Sequence, residues 1–467
     1  MKNMTLENIA RACGGELLCA EKERTVCAAD ITTDSRKVTP GCLFAAIKGG
    51  RFDGHDFLAR SVEDGACAVL CERAPEDADF PRIIVPSTPE ALQKIAAFYL
   101  EQMAVPVVGI AGSVGKTSTK ELIASVLSTR FSVLKTEGNF NNELCLPLTV
   151  FRLRDEHEIA VLEMGISDFG EMHTLASIAK PQTCVITNIG WCHLEFLKDR
   201  AGILRAKSEI FDFLEKDGRI ILNGDDDMLN TVRCVKGITP VRYGLGSGCS
   251  FRADHIEPLG FEGTRFEMHM PARFDAPDEA SESVTAVLPA PGAHMVSNAL
   301  AAAAVGRAFG LSAEEIRRGI EAYRPVSGRF RVSRTGSYTV IDDCYNANPV
   351  SMKASLQTLQ SASGRKVAVL GDMGELGEEE KELHRGVGEF AGSLAIDMIC
   401  CAGELMRSLY DGVRMTDPAM EIHWFPDRVS LTESLPSLLK ENDTVLVKAS
   451  HFMEFEKIVE MLENMTA

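Results

Sequence analysis

The chain has 467 residues, 45% hydrophobic and 25% charged, the balance of a globular protein too long for one core, and about three domains are expected. Lysine and arginine number 49 against 67 aspartate and glutamate, so the formal net charge of −18 repels polyanions and excludes nucleic acid as an expected partner. A small anionic ligand would need local cations, glycine amides or metal ions to be held in that field.

The first residues, MKNMTLENIARACGGELL, hold no long apolar run, so neither an export signal nor a membrane span is expected and the location expected is cytoplasmic. Fourteen cysteines are scattered without a C-x-x-C pair, which fits reduced, part-buried thiols better than disulfides or structural zinc. Residues 1–104 form the first expected unit, with short apolar strands in LFAAI, CAVLC and RIIVP and a closing helix in PEALQKIAAFYL. Residues 105–325 form the second. Its strands are expected in VPVVGIAG, EIAVLEMG, TCVITNIG and GRIILNGDD, and its helices in TSTKELIASVLSTRF and DRAGILRAKSEIFDFLEK. In the first of those helices Leu122, Ile123, Val126 and Leu127 make one apolar stripe. The stretch 271–291 is rich in proline, alanine and acid and reads as strand edges around a mobile loop, followed by the alanine-rich helix SNALAAAAVGRAFG. Residues 326–467 repeat the alternation: YTVIDD, a helix from Val350, KVAVLGD, a helix near 378–392, AIDMICCAG and DTVLVKAS. Strands separated by helices predict an α/β fold with mainly parallel sheets in the two later units.

The segment GIAGSVGKTS follows the apolar run VPVV. A phosphate cradle needs a strand delivering the chain to a tight turn, glycines whose amides approach anionic oxygens, and a helix starting with its positive end toward the ligand. Gly109, Gly112 and Gly115 supply the turn, and Gly112, Ser113, Val114, Gly115, Lys116, Thr117 and Ser118 the expected nucleotide contacts. Lys116 would reach the terminal phosphates of ATP and the Thr117 hydroxyl would ligate Mg²⁺. The glycines stand three apart, so the commoner pattern with four residues between glycines is absent.

Two strand ends add oxygen and nitrogen donors. Glu163 closes AVLE and His193 follows VITNIG, both at the sheet edge where α/β proteins place ligands. Each alone is also compatible with a cap, a salt bridge or a structural histidine; together with the loop they read as a magnesium shell. Arg329 in SGRF lies at the junction of the second and third units, suited to clamp phosphate when they close. Asn298 could cap the alanine-rich helix. Lys207 in RAKSEI reads, by itself, as an exposed helical lysine.

The loop G-x-x-G-x-x-G-K-T-S resembles that of the Mur ligases and folylpolyglutamate synthases, with Val114 where asparagine is usual. The block TTDSRKVTPGCLFAAIKGGRFDGHDF resembles the UDP-binding domain of Mur ligases, whereas folylpolyglutamate synthases begin near the phosphate loop. IDDCYNANPVSM, VLGDMGELGEEEKELH and TEGNFNNELCLPLT are similar to the members that add the final dipeptide, not to those that add the third residue. The resemblance spans the chain and implies three domains: a UDP-binding domain, a central ATPase-like domain and a C-terminal Rossmann-like domain.

The activity so implied is ATP-dependent amide formation between UDP-MurNAc-tripeptide and D-Ala-D-Ala through an acyl phosphate, carried out by a monomer. It makes Lys116, Glu163, His193, Lys207 and Arg329 catalytic, with two Mg²⁺ held by Thr117, Glu163, His193 and a carbamylated Lys207. It also gives Asn298 the base, Asp343 the ribose, and Ser35, Arg36 and the 49–55 loop, with Gly49 and His55, the UDP end. Asn139, Asn141 and Asn142 of GNFNNE and Tyr345, Asn346 and Asn348 of YNANP would face the peptide and dipeptide. The chain departs from the family at Met295, where a second asparagine is usual, and at His451, where an arginine is common. The rival classes are a GTPase or kinase and a non-catalytic nucleotide sensor; the Asn-Lys-x-Asp guanine reader of GTPases is absent from the sequence.

Overall fold

The computed structural model describes residues 1–50, 52–75, 78–276 and 281–465; Arg51 of the 49–55 loop and residues 277–280 of the proline-rich stretch lie outside the described residues. Three sheets follow one another along the chain. The first has the strand order Glu16–Leu18, Arg82–Ile84, Ala68–Cys71, Leu43–Ala45, Ile31–Thr32, antiparallel only at its first pair. Helix Thr88–Met103 leads out of it, started by the Ser87 hydroxyl accepting from Glu90 N and by a proline in its first turn. The Tyr99 hydroxyl of that helix donates to Leu153 O at 2.7 Å and so ties it to the second unit.

The second sheet has nine strands. From one edge they run Ser281–Leu288, Thr264–Pro271, Phe251–Pro258, Val241–Gly244, Arg219–Asn223, Thr183–Ile186, Val107–Ala111, Ile159–Glu163 and Val133–Lys135. The pairings from Phe251–Pro258 outward to Ser281–Leu288 are antiparallel and the others parallel. Val107–Ala111, Ile159–Glu163 and Thr183–Ile186 are buried at every position, as strands covered on both faces must be. The alanine-rich helix Ala293–Ala308 is buried over most of its length and lies against helix Lys116–Leu127 in the same core. The third sheet runs Arg331–Arg334, Thr339–Asp342, Thr444–Lys448, Lys366–Gly371, Met398–Ala402, Glu421–Phe425, with only its first pair antiparallel. Among the described residues no helix is long and apolar enough to cross a membrane.

Two expectations from the sequence need correction. The run 199–216, read as one helix, is helical only over Arg200–Ser208 and then tightens into a turn at Glu209–Phe211. The turn buries Ile210 and Phe211 and frees the Glu209 carboxylate to accept from Gly170 N at 3.1 Å and His173 N at 3.2 Å, capping the neighbouring helix Glu171–Ala179. The antiparallel edge begins before 271. In Thr264–Pro271, Phe266, Met268 and Met270 are buried and alternate with more exposed Arg265, Glu267 and His269, a two-residue period that the reading of 271–291 left out.

In the third unit two helices touch through glycine. A Cβ at Gly412 of Met406–Thr416 would lie 2.4 Å from Arg385 O, and one at Gly388 of Glu380–Gly392 would lie 2.1 Å from Leu409 O. Gly412→Ala is therefore expected to cost roughly 1–3 kcal/mol by overpacking. Gly386→Ala, with nothing within 4 Å, should be neutral or stabilising by about 0.5–1 kcal/mol. Urea unfolding midpoints of the two variants check the difference.

Candidate active site

The phosphate loop is shaped by the strand end beside it. Gly112 has φ +146°, and a Cβ there would sit 1.9 Å from Thr187 Oγ1; Gly115, at φ +82°, turns the chain into helix Lys116–Leu127. Asn188 holds the loop between these glycines: Ser113 N donates to its carbonyl at 3.0 Å and Val114 N to its Oδ1 at 2.9 Å. Val114 O accepts in return from Thr187 Oγ1 at 2.6 Å and Asn188 Nδ2 at 3.0 Å. Ser113 Oγ accepts from Gly190 N at 2.9 Å. Lys116 curls back over the loop and donates from Nζ to Gly112 O at 2.8 Å. Burial pushes its pKa down, opposed by the Glu163 carboxylate. Asn298 is 8% exposed beside Gly115, whose Cβ position is 3.2 Å from Asn298 Oδ1, and its Nδ2 faces Met295 Sδ at 3.5 Å.

Glu163 is 1% exposed at the end of its strand. Its Oε1 accepts from Asn141 Nδ2 at 2.8 Å and from the Thr117 hydroxyl at 3.2 Å. Its Oε2 is buried without a hydrogen bond, 3.8 Å from the ammonium of fully buried Lys120. Across the cleft, Arg329 Nη2 donates to Thr117 Oγ1 at 3.2 Å. The Arg329 guanidinium lies 4.0 Å above the Tyr345 ring, which stacks on His451 at 5.7 Å. Burial raises the Tyr345 hydroxyl, against the pull of the Arg329 charge and of a hydrogen bond with Asn139.

His193 stands at φ +52° before the short helix Leu194–Leu197, with Nδ1 at 2.6 Å from Glu375 Oε2. That contact holds the Glu375 carboxyl below its ordinary range. Lys207 is 1% exposed, not surface-lying as its sequence context alone implied, and its ammonium group makes no hydrogen bond or ion pair with a described residue. Burial brings its pKa down to about 8.

The wall contributed by the third sheet is built around Asp343, which accepts from Lys448 Nζ at 2.6 Å, Ser355 Oγ at 2.6 Å and Phe330 N at 3.2 Å. Lys448 also donates to Asn346 O at 3.1 Å. Asn348 spends its side chain as the cap of helix Pro349–Gln360, accepting from Ser351 N at 2.9 Å. Asn142 does the same for Cys145–Val150, accepting from Cys145 N at 2.9 Å.

One cleft of about 640 Å³ brings together Ser113 to Ser118, Asn141, Asn142, Glu163, His193, Asn298, Arg329, Asp343, Tyr345, Asn346 and Asn348. Gly112, Asn139 and Lys207 are not on its lining, nor are the first-unit residues Ser35, Arg36, Gly49 and His55. Arg36 makes a two-pronged pair with Asp34 at 2.9 Å, and Gly49 N donates to Phe52 O at 2.9 Å. His55 has both ring nitrogens committed, Nδ1 to Asp53 at 2.7 Å and Nε2 to Glu72 N at 3.0 Å.

Sequence reasoning missed Thr187, Asn188, His294, Glu375 and Lys448. The strand-end position of Thr187 and Asn188 and of Lys448 was a usable signal. His294, one of the cleft residues, stands at the start of the alanine-rich helix Ala293–Ala308. Glu375 had no local signal, because its partner comes from another unit.

Family models match in chain order: "Mur ligase family, catalytic domain" over 29–100, "Mur ligase middle domain" over 110–306 and "Mur ligase, glutamate ligase domain" over 328–451. The UDP-N-acetylmuramoyl-tripeptide–D-alanyl-D-alanine ligase of Bacillus subtilis is 36% identical over 469 residues, covering 99% of each chain. The crystal structure of MurF from Acinetobacter baumannii superposes with a TM-score of 0.89 at 33% identity, over 99% of each chain. That of the Thermotoga maritima MurF ligase in complex with ADP gives 0.80 at 30% identity, over 93% of this chain and 97% of that one. With this similarity running the length of the chain, and a phosphate loop facing a second α/β sheet across one cleft, the chain belongs to the Mur ligase family.

Proposed function

We propose that this chain is an ATP-dependent carbon–nitrogen ligase that joins D-Ala-D-Ala to UDP-MurNAc-tripeptide in peptidoglycan precursor synthesis. The observation that carries the reading is the contact of Arg329 with Thr117, which brings the third unit onto a phosphate loop of the second. Full-length similarity to relatives bearing that substrate pair in their name supports the choice of substrates.

A carboxylate is a poor electrophile, and ATP supplies the activation. The tripeptide carboxylate oxygen attacks the γ-phosphorus, ADP leaves, and an acyl phosphate results. The dipeptide amine then attacks that carbonyl, the C–O bond to phosphate breaks, and the amine proton passes to solvent. The protein's share is positioning and charge neutralisation. Lys116 and Arg329 bring two cations to the phosphates, and the first amides of helix Lys116–Leu127 have no intrahelical partners and point at them. Asn298 and Asp343 flank the nucleoside, while Asn141, Tyr345 and Asn346 face the peptide side. Units 1–104, 105–325 and 326–467 bind UDP, ATP and the incoming dipeptide, with Ser35, Arg36, Gly49 and His55 at the UDP end, in a monomer.

The donors suit Mg²⁺. The Thr117 hydroxyl and a Glu163 carboxylate whose buried Oε2 makes no hydrogen bond are hard oxygen ligands, with His193 lining the same cleft. Lys207 as an amine is no ligand for a cation; it fits only as the carbamate formed when its neutral amine adds CO₂, and its burial without a counter-ion favours the neutral amine. Thr117, Glu163, His193 and carbamylated Lys207 would then hold two Mg²⁺, which screen the negative charge of the phosphates.

Phosphate release from ATP should require both UDP-MurNAc-tripeptide and D-Ala-D-Ala; release with either one alone would contradict a ligase. Lys116→Ala should lower kcat by about 100-fold or more with an unchanged urea midpoint, measured by coupled ADP release. Lys207→Ala should lose activity and regain part of it with added short-chain carboxylic acids. Its pKa is depressed to about 8, so the neutral amine gains as pH rises and carbamate occupancy at fixed CO₂ should increase from about pH 7 to about pH 9. Labelling with isotopic bicarbonate followed by NMR checks that slope, and a flat profile speaks against the carbamate.

A further inference from the structure

The segment Gly371–His384, GDMGELGEEEKELH, leaves the end of strand Lys366–Gly371 as a braced turn. Asp372 is buried and its Oδ1 accepts from Met406 N at 2.9 Å. Met373 N donates to Nε2 of fully buried His384 at 3.0 Å, while His384 Nδ1 lies 2.6 Å from Glu380 O. The two contacts assign His384 as a neutral ring with its proton on Nδ1, in keeping with its burial. Gly374 N donates to Ser450 Oγ at 2.9 Å, and Leu376 is buried on the far side. Between these anchors Glu375 is held at φ +60°, a backbone that residues with a Cβ rarely adopt.

The turn reaches the second unit. Glu375 Oε2 lies 2.6 Å from His193 Nδ1, and the Cβ position of Gly377 is 3.5 Å from Glu195 N, so the turn seats on the helix that His193 begins. His193 is also in the left-handed region, at φ +52°. Both residues of the pair thus take an uncommon backbone where they meet. The carboxylate faces the Nδ1 side of the ring as an ion-pair contact without the alignment of a hydrogen bond, and Nε2 makes no hydrogen bond or ion pair with a described residue.

We propose that Glu375 is a positioning residue lent by the third unit: it fixes the His193 imidazole through Nδ1, so the cation site of the second unit is complete only when the two units close. The proposal rests on the reading of His193 as part of a Mg²⁺ shell. A carboxylate behind a ligating histidine sets ring orientation and tautomer and raises its basicity, and removing such a partner commonly weakens metal binding about 10- to 100-fold. The same contact makes closure and cation binding mutually supportive, because each favours the geometry the other needs.

The test uses the full chain with a non-hydrolysable ATP analogue and Mn²⁺ as the probe, free Mn²⁺ being read by electron paramagnetic resonance. Glu375→Ala should bind Mn²⁺ about 10- to 100-fold more weakly than wild type, with an unchanged melting midpoint in the absence of ligands. Glu375→Gln, which keeps an acceptor for Nδ1–H, should lose less. Small-angle scattering of the same samples should show a larger radius of gyration for Glu375→Ala than for wild type. Mn²⁺ affinity in Glu375→Ala equal to or tighter than wild type would overturn the proposal, since the carboxylate would then be idle or a competitor of the cation. A wild-type chain that takes up no Mn²⁺ beside the nucleotide analogue would instead overturn the metal-shell reading beneath it.

Discussion

Glu163 is a carboxylate removed almost entirely from water in a protein that already carries a formal charge of −18, and its surroundings answer that constraint. Such a group persists only when donors and opposite charge surround it. Asn141 and Thr117 satisfy one oxygen. Behind the other stands Lys120, fully buried, whose Nζ is 3.1 Å from Glu121 Oε1, and Glu121 pairs in turn with Lys135 nearer the surface. Positive and negative groups therefore alternate from the surface inward to the strand end. The helix that carries Lys120 is the one the phosphate loop starts, so charge balance and loop geometry are set by a single element.

The cleft is a meeting of two sheet ends, and its contacts show why both are needed. Thr117 is shared, donating to Glu163 and accepting from Arg329. Arg329 is flattened onto Tyr345, which stacks on His451. An imidazole at that place stacks on the ring and does not add a permanent charge beside Arg329. The Asp343–Lys448 pair ties two strand ends of the third sheet beneath this stack, so the wall facing the loop is held by a buried, hydrogen-bonded ion pair.

Much of this is legible in the sequence. The alternation of apolar runs and amphipathic segments predicted parallel α/β sheets, because parallel strands must be covered on both faces. Strand-end residues such as Glu163 were findable because a strand that stops at a sheet edge can only present what comes next. Side-chain use was less legible. Asn142 and Asn348 sit in asparagine-rich segments that resemble substrate contacts, yet the amide of each closes a helix start. Lys207 reads as a surface residue from its helix and proves buried, since burial depends on what packs against the helix and not on the helix itself.

The sequence by itself determined the phosphate loop, the alternation of strands and helices, and the residue types available for chemistry, because glycine spacing, hydrophobic period and strand ends are local properties. Only the tertiary structure decided which donors share one carboxylate, that Asn188 braces the loop from the neighbouring strand end, and that Glu375 reaches His193. Those are contacts between segments far apart in the chain, and the closed packing of two sheets, which no local pattern encodes, is what brings them within hydrogen-bond distance.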